Sequence, residues 1–220
     1  MSGLLALVGG GEWRDGCSFD RTLLDAAGTD EVLVLPTGAA YEHPDRLVAD
    51  AEAWFSSLGA KAKGLRVLSR PDALDPVNVD AVRAARFVYL CGGSSMHLRS
   101  VLKDSLVWDA LLESWSDGLV LAGSSAGAMV LCDPMVDARG GAFTLGLGML
   151  EGMTVVPHAD TWSEDKSHRT LQLAPKGLLL AAVDERTALM RNGEGHWTVE
   201  GAGQVSLFRD KQPLALDALP

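Results

Sequence analysis

An apolar strand pattern runs into a serine flanked by glycines in the segment Leu119-Val120-Leu121-Ala122-Gly123-Ser124-Ser125-Ala126-Gly127-Ala128-Met129. The pattern G-x-S-x-G at 123–127, after a strand and before a helix-compatible run, is typical of a sharp turn that exposes a nucleophilic serine. Gly123 and Gly127 flank Ser125 symmetrically, so Ser125 rather than Ser124 is the predicted nucleophile. A small-residue turn that merely packs tightly is the alternative interpretation of these five residues alone.

Short apolar runs alternate with helical patterns on both sides of this turn. The predicted strands are 4–8, 31–36, 65–68, 86–91 and 118–122, and the predicted helices are 44–59, 77–85 and 96–115. Such alternation predicts an α/β fold, with a mostly parallel central sheet and helices on both of its faces. Ligands bind such sheets at the carboxyl ends of the strands, so we expect the chemistry there.

The last third of the chain has a different pattern. Strand candidates 154–156 and 178–183 flank a helix that starts near Ser163, and a strand-turn-strand pattern follows. Asn192-Gly193 predicts a hairpin between 187–191 and 196–199. We therefore expect a small antiparallel edge formed by the C-terminal part of the chain.

Composition narrows the class of protein. The 220 residues carry a formal charge of −10, which disfavours general nucleic-acid or anionic-membrane binding. No linker divides the chain, so 1–220 is predicted to be a single domain. Three cysteines without a C-x-x-C pair, and no signal or membrane-spanning segment, predict a cytoplasmic protein with reduced thiols.

A nucleophilic serine requires a general base, and five histidines are present. His158 follows the strand-like segment 154–157, which places it at the same sheet edge as Ser125. His168 lies within a predicted surface helix. His158 is therefore the predicted base, although an isolated histidine is more often structural.

The third member should be a carboxylate that orients the imidazole. Asp184 and Glu185 directly follow the predicted strand 178–183, and either could reach the histidine from that edge. Asp137 and Asp160 remain competitors. Two solvated acids in a turn are an equally good interpretation of either residue taken alone.

A second glycine segment, Gly92-Gly93-Ser94-Ser95, follows the predicted strand 86–91. The N–H groups of Gly93 and Ala126 are predicted to form an oxyanion hole, and Gly92 and Ser94 to contact substrate. A phosphate cradle is the rival interpretation, but no Walker lysine is present. His158, Asp160 and His168 match no strong ligand spacing, so neither metal nor cofactor is expected.

The sequence resembles the dipeptidase E and cyanophycinase family of serine peptidases. The motifs that carry the resemblance are Gly9-Gly10-Gly11-Glu12, Leu35-Pro36-Thr37, Leu90-Cys91-Gly92-Gly93, Gly123–Ala128, Pro157-His158 and Val183–Leu189. The resemblance covers most of the chain and implies a fold like that of class I glutamine amidotransferases, which is flavodoxin-like. By the same resemblance, Ser125 is the nucleophile, His158 the base and Glu185 the third member.

The departures from the family pattern concern substrate. Ser94-Ser95 replaces the usual polar pair after the double glycine, and Val156-Pro157 replaces Asp-Gln before the histidine. An aspartyl preference is implied by the resemblance alone. In the dipeptidase branch the acid lies between serine and histidine, which keeps Asp137 as an alternative.

We therefore expect a serine peptidase that hydrolyses short peptides, as a monomer or homodimer. An acidic substrate would need a cationic partner, and Arg169 is favoured among Arg99, Arg139, Arg169 and Arg186. A non-catalytic protein that binds a small metabolite on the same scaffold is the second hypothesis. An esterase of α/β-hydrolase type is disfavoured, because the acid would then precede the histidine.

Overall fold

The computed structural model describes residues 2–137 and 141–220. Its strands are β1 (Leu5–Val8), β2 (Glu31–Leu35), β3 (Lys61–Gly64), β4 (Phe87–Leu90), β5 (Val120–Ser124), β6 (Cys132–Asp133), β7 (Met135–Val136), β8 (Phe143–Thr144), β9 (Leu150–Glu151), β10 (Met153–Val156), β11 (Leu179–Val183), β12 (Thr187–Arg191), β13 (Trp197–Gly201), β14 (Val205–Arg209) and β15 (Gln212–Leu214). Its helices are α1 (Phe19–Ala27), α2 (Pro44–Ser57), α3 (Pro76–Ala84), α4 (Ser95–Leu102), α5 (Leu106–Ser116), α6 (Ala126–Leu131) and α7 (Glu164–Leu173).

The central sheet has seven strands in the order β13-β12-β1-β5-β4-β2-β3. Neighbouring strands in the series β1-β5-β4-β2-β3 pair in parallel. At the other side, β12 pairs antiparallel with both β1 and β13. The predicted fold class is confirmed: a mostly parallel sheet carries a small antiparallel edge. The hairpin predicted at Asn192-Gly193 joins β12 to β13.

Helices cover both faces of this sheet, because alternate residues of each buried strand point to opposite sides. Ala6 and Val8 of β1 share a buried cluster with residues of α1 and α2, namely Phe19, Leu23, Ala51 and Phe55. Leu5 and Leu7 share another with residues of α3 to α6, namely Val79, Leu98, Leu111 and Met129. All strands of the parallel part therefore end at one edge between two helical layers.

The strands predicted at 154–156 and 178–183 exist, but they lie outside the central sheet. They correspond to β10 and β11, which pair in parallel in a separate sheet of order β10-β11-β14-β15. Val155 and Leu179 belong to the same buried cluster as Leu7, so the second sheet packs against the core of the first. An apolar strand pattern shows burial but does not identify the partner strand.

Two other local predictions are wrong. The strand expected at 65–68 lies earlier in the chain, at β3 (Lys61–Gly64), which is the edge strand of the sheet. Lysines alternate with small residues in β3, so it has no apolar pattern from which a strand could be predicted. The helix expected over 96–115 is divided into α4 and α5, and the Ser105 hydroxyl caps α5 by accepting from Trp108 N. No helix in the described part of the chain is long and apolar enough to cross a membrane.

Candidate active site

Ser125 occupies the turn between β5 and α6 and has φ 50° and ψ −109°, outside the regions that side-chain-bearing residues favour. A Cβ at position 127 would lie 2.3 Å from the Leu90 carbonyl oxygen, and one at 123 would lie 2.5 Å from the Gly127 carbonyl oxygen. Both flanking positions therefore accept only glycine. The strain that the G-x-S-x-G pattern implies is present at the predicted residue.

His158 follows β10 and Pro157, as predicted, and its side chain is half-buried at 32 % exposure. Its Nε2 lies 2.8 Å from Ser125 Oγ. The backbone N–H of His158 donates to the Gly9 carbonyl at 2.7 Å, and the residue has a left-handed backbone with φ 54°. The structure therefore brings together the serine and the histidine that the sequence analysis selected.

Glu185 is the carboxylate at the other side of the imidazole ring. His158 Nδ1 lies 2.8 Å from Glu185 Oε1. The competing acids make other contacts: Asp184 Oδ2 accepts from Gln204 N at 3.0 Å, and Asp160 Oδ1 accepts from Glu185 N at 2.9 Å. Asp137 follows β7, where its backbone N–H donates to the Ala142 carbonyl.

The glycines after β1 make room for this arrangement. A Cβ at Gly10 would lie 2.1 Å from His158 Cε1, and Gly10 has φ 111°. A Cβ at Gly11 would lie 3.0 Å from Glu185 Oε2. The segment Gly9–Glu12 carried the family resemblance, and its contacts show that two of its glycines pack directly against the histidine and the glutamate.

The glycine segment after β4, which contains the predicted donor Gly93, passes beside the serine, and the other predicted donor, Ala126, follows Ser125 in the chain. A Cβ at Gly92 would lie 3.4 Å from Ser125 Cβ, so this backbone passes directly over the turn. Among the described residues, the backbone N–H groups of Gly93 and Ala126 have no recorded hydrogen-bond partner, whereas Ser94 N donates to the Gly38 carbonyl at 2.8 Å. The Ser94 hydroxyl caps α4 by accepting from His97 N.

Glu12 is a site residue to which the sequence analysis gave no role. Its Oε2 accepts from Ser124 Oγ at 2.7 Å, and the Ser124 side chain is fully buried. Glu12 also lines a cavity of about 590 Å³, together with Gly11, Trp13, Arg14, Leu47, Asp50, Ala53, Trp54 and Ser57. The sequence feature that could have identified Glu12 as a site residue is its position in the motif Gly9-Gly10-Gly11-Glu12.

Arg169, the favoured cation, is exposed on α7, and the structure records no contact between it and Ser125, His158 or Glu185. Arg139 lies outside the described residues. Arg14 lines the cavity that Glu12 borders and is the cation nearest in sequence to the glycine segment.

A buried polar cluster lies behind that cavity. Burial raises the pKa of Asp20 to about 8, and the nearby charges of Glu12 and Glu200 act in the same direction. Trp54 Nε1 donates to Asp20 Oδ2 at 2.8 Å, which opposes the rise. Burial also holds the pKa of the Cys91 thiol well above its usual value, so this strand-end cysteine is no thiolate nucleophile.

No cluster of three or more histidine, cysteine or acidic side chains suited to a metal ion occurs in residues 2–137 and 141–220. His158 has both ring nitrogens within hydrogen-bonding distance of Ser125 or Glu185. A strained serine between a strand and a helix, with a histidine and a carboxylate in series, is the arrangement found in serine-type hydrolases.

The chain belongs to peptidase family S51, whose family model matches residues 5–199, and it is a serine-type peptidase. A crystal structure of a peptidase from an acI-B1 Actinobacterium is similar, with a TM-score of 0.86, 32 % identity and coverage of 97 % of this chain and 94 % of that chain.

Two cyanophycinases are also similar to the chain. That of Nostoc sp. (strain PCC 7120) is 25 % identical over 213 residues, which cover 91 % of this chain and 72 % of the relative. That of Synechococcus elongatus is 24 % identical over 218 residues, which cover 93 % of this chain and 67 % of the relative. The resemblance to the dipeptidase E and cyanophycinase family is therefore confirmed.

Proposed function

We propose that the enzyme hydrolyses short peptides through an acyl-enzyme intermediate, with Ser125 as nucleophile, His158 as general base and Glu185 as the orienting carboxylate. The observation that carries this proposal is the series of two 2.8 Å contacts from Ser125 Oγ to His158 Nε2 and from His158 Nδ1 to Glu185 Oε1. Each distance is that of a hydrogen bond suited to proton transfer or to orientation of the ring.

The reaction follows from these contacts. Ser125 Oγ attacks the peptide carbonyl carbon, its proton passes to His158 Nε2, and the C–N bond breaks as the imidazolium returns that proton to the leaving amine. A water molecule then attacks the acyl-enzyme, with His158 again acting as base. Glu185 accepts from His158 Nδ1–H throughout, which keeps Nε2 free to receive the proton and stabilises the charged ring.

The oxyanion would be bound by the N–H groups of Gly93 and Ala126. Their lack of recorded partners among the described residues, and the passage of Gly92 over Ser125, support this role. Ala126 is also the first residue of α6, where orphan N–H groups favour negative charge. Loss of one such donor costs about 3 kcal/mol of transition-state stabilisation in enzymes where it has been removed.

For substrate class, we propose short peptides with a preference for an aspartyl residue beside the scissile bond. The peptidase family supports the peptide class, and the Gly92 backbone lies beside Ser125. An acidic side chain needs a cation in a protein of formal charge −10. Arg14 lines the cavity that Glu12 borders, and we propose it as the cation for this role.

A fluorophosphonate probe tests the assignment of the nucleophile, because only an activated serine labels rapidly. The wild-type enzyme should label and hydrolyse a panel of dipeptides and β-aspartyl peptides, read by mass spectrometry. Ser125→Ala should lose both activities, since the attacking oxygen is absent. Ser100→Ala, an exposed hydroxyl on α4, is the control and should retain them.

Folding of each variant is checked by circular dichroism and thermal melting. A folded wild-type protein that neither labels nor cleaves any peptide would overturn the proposal in favour of a metabolite-binding protein on this scaffold. Equal kcat/KM for peptides that begin with aspartate and with alanine would overturn the aspartyl preference alone.

A further inference from the structure

Glu12 joins the turn of the nucleophile to the loop after β1. Ser124, the residue before the nucleophile, is completely buried, and its hydroxyl donates to Glu12 Oε2 at 2.7 Å. The two residues are separated by 112 positions in the chain. A hydrogen bond to a carboxylate is charge-assisted and roughly twice as strong as one between neutral groups, so this contact is a strong link between the two segments.

The same loop holds the other two members of the site. The Gly9 carbonyl accepts from His158 N at 2.7 Å, and the Gly10 carbonyl accepts from Arg186 N, the residue after Glu185, at 2.7 Å. Residues 9–12 therefore make a hydrogen bond to the backbone of the histidine, to the backbone beside the glutamate and to the side chain beside the serine. The structure gives no hydrogen bond between the Glu12 carboxylate and the side chain of Ser125, His158 or Glu185.

Ser125 needs external support because its backbone is strained. Its φ of 50° and ψ of −109° are unfavourable for a residue with a side chain, so the surrounding structure must hold them. Ser125 N donates to the Val8 carbonyl at 2.9 Å, directly before the glycine loop. Glu12 supplies the second fixed point, on the side chain of the preceding residue.

We propose that Glu12 is a positioning residue: through Ser124 it sets the distance between the Ser125 hydroxyl and the imidazole that the glycine loop holds. This inference rests on the proposed function, because the quantity it controls is the reactivity of Ser125. A displacement of about 1 Å at a reacting group can cost about 100-fold in rate. The Glu12–Ser124 contact therefore contributes to kcat and not to substrate affinity.

Three single variants and one double variant test the proposal. Glu12→Ala and Ser124→Ala should each lower kcat and the rate of fluorophosphonate labelling by about 10- to 100-fold, with KM changed less than about twofold. Glu12→Gln should stay within about threefold of wild type, because its amide oxygen still accepts from the Ser124 hydroxyl. The double variant should be no slower than the slower single variant, since both changes remove one contact.

Asp15→Ala is the matched control, because it removes a negative charge from an exposed position on the same loop without touching Ser124. It should behave as wild type. Circular dichroism and thermal melting establish that each variant is folded. If Glu12→Ala does not fold, the smaller change Ser124→Ala decides the question.

Three results would overturn the positioning role while leaving the proposed function intact: folded variants that label at the wild-type rate, losses that multiply in the double variant, or Glu12→Gln as slow as Glu12→Ala. The last would show that charge, and not the hydrogen bond, matters. A wild-type enzyme that fails to label would instead overturn the proposed function and this inference together.

Discussion

Asp184 and Glu185 are neighbours in the chain, yet their carboxylates have different partners. Asp184 Oδ2 accepts from Gln204 N, whereas Glu185 Oε1 lies 2.8 Å from His158 Nδ1. Asp184 directly follows β11, whereas Glu185 lies in the turn that leads into β12. A single position in the sequence therefore decides which acid is at the imidazole.

Glu185→Gln should lower kcat by about 10²- to 10⁴-fold while the protein stays folded, because the amide cannot stabilise the imidazolium as the carboxylate does. Steady-state kinetics with the best peptide of the panel, together with thermal melting, measure this. Asp184→Asn and Asp137→Asn are the comparisons and should have much smaller effects. A larger loss in Asp137→Asn than in Glu185→Gln would assign the third member to the segment between serine and histidine.

Asp20 makes stability depend on pH. Its folded pKa of about 8 lies above the ordinary value of 3.8, so the unfolded chain ionises first as pH rises. The unfavourable contribution is absent below about pH 4, grows as pH rises and is complete above about pH 8. Asp20 Oδ1 is buried and has no recorded hydrogen-bond partner among the described residues. The same is true of two other buried polar atoms, Trp13 Nε1 and the Tyr89 hydroxyl oxygen.

Asp20→Asn removes this ionisation. Between roughly pH 5 and 7, the unfolding free energy of the wild type should fall relative to that of the variant by up to about 1.4 kcal/mol per pH unit. Chemical denaturation of both proteins across this range measures the difference. A difference that stays constant with pH would contradict the raised pKa of Asp20.

The glycine loop at residues 9–11, after β1, supports the candidate active site in two ways. Its backbone carbonyls accept hydrogen bonds there, and the absence of side chains leaves room for His158 and Glu185. Gly10 combines φ 111° with the close approach of the His158 ring. Neither feature alone identifies the loop as functional. Together they explain why three consecutive glycines follow a buried strand.

Gly10→Ala should lower kcat by at least about 100-fold, because the added Cβ would lie 2.1 Å from His158 Cε1 and would displace the imidazole ring. Gly118→Ala is the control, since Gly118 has a similar φ of 107° but no atom within 4 Å of the added Cβ. The control should lose stability through backbone strain and keep its activity. Comparable kcat values in the two folded variants would show that Gly10 only relieves strain.

The candidate active site forms where two sheets meet. Ser125 follows β5 of the central sheet, whereas His158 and Glu185 follow β10 and β11 of the second sheet. The apolar contact between the sheets therefore sets the relative positions of these three residues, and the loop from Gly9 to Glu12 bridges the two ends. The whole molecule also carries a formal charge of −10, which acts on any charged substrate.

The salt dependence of kcat/KM should separate the effect of the protein's net negative charge from that of individual side chains that contact the substrate. Raising the ionic strength from about 0.02 M to 0.2 M should raise kcat/KM a few-fold for acidic peptides and lower it for basic ones, because the protein's negative field is screened. Neutral peptides serve as the control and should change little. If all three classes respond equally, the net charge has no part in selecting substrate.

The strained turn at Ser125, the position of His158 beside it and the α/β class were predictable from sequence, because each depends on a local pattern. Gly123 and Gly127 are required by close backbone contacts on either side of Ser125, and His158 follows an apolar strand after one proline. The hairpin at Asn192-Gly193 likewise needs only neighbouring residues. Such features depend on steric limits and periodicity that any short segment carries with it.

Local sequence patterns left three features open that the tertiary structure decided: the second sheet, which of the candidate acids meets the histidine, and the contact between Glu12 and Ser124. Each depends on residues far apart in the chain, and the 112 positions between Glu12 and Ser124 leave no periodic signal. The raised pKa of Asp20 has the same origin, because desolvation depends on every element packed around the carboxyl. A local pattern tells which residues are buried or exposed at a strand end, but only packing brings particular atoms within hydrogen-bonding distance.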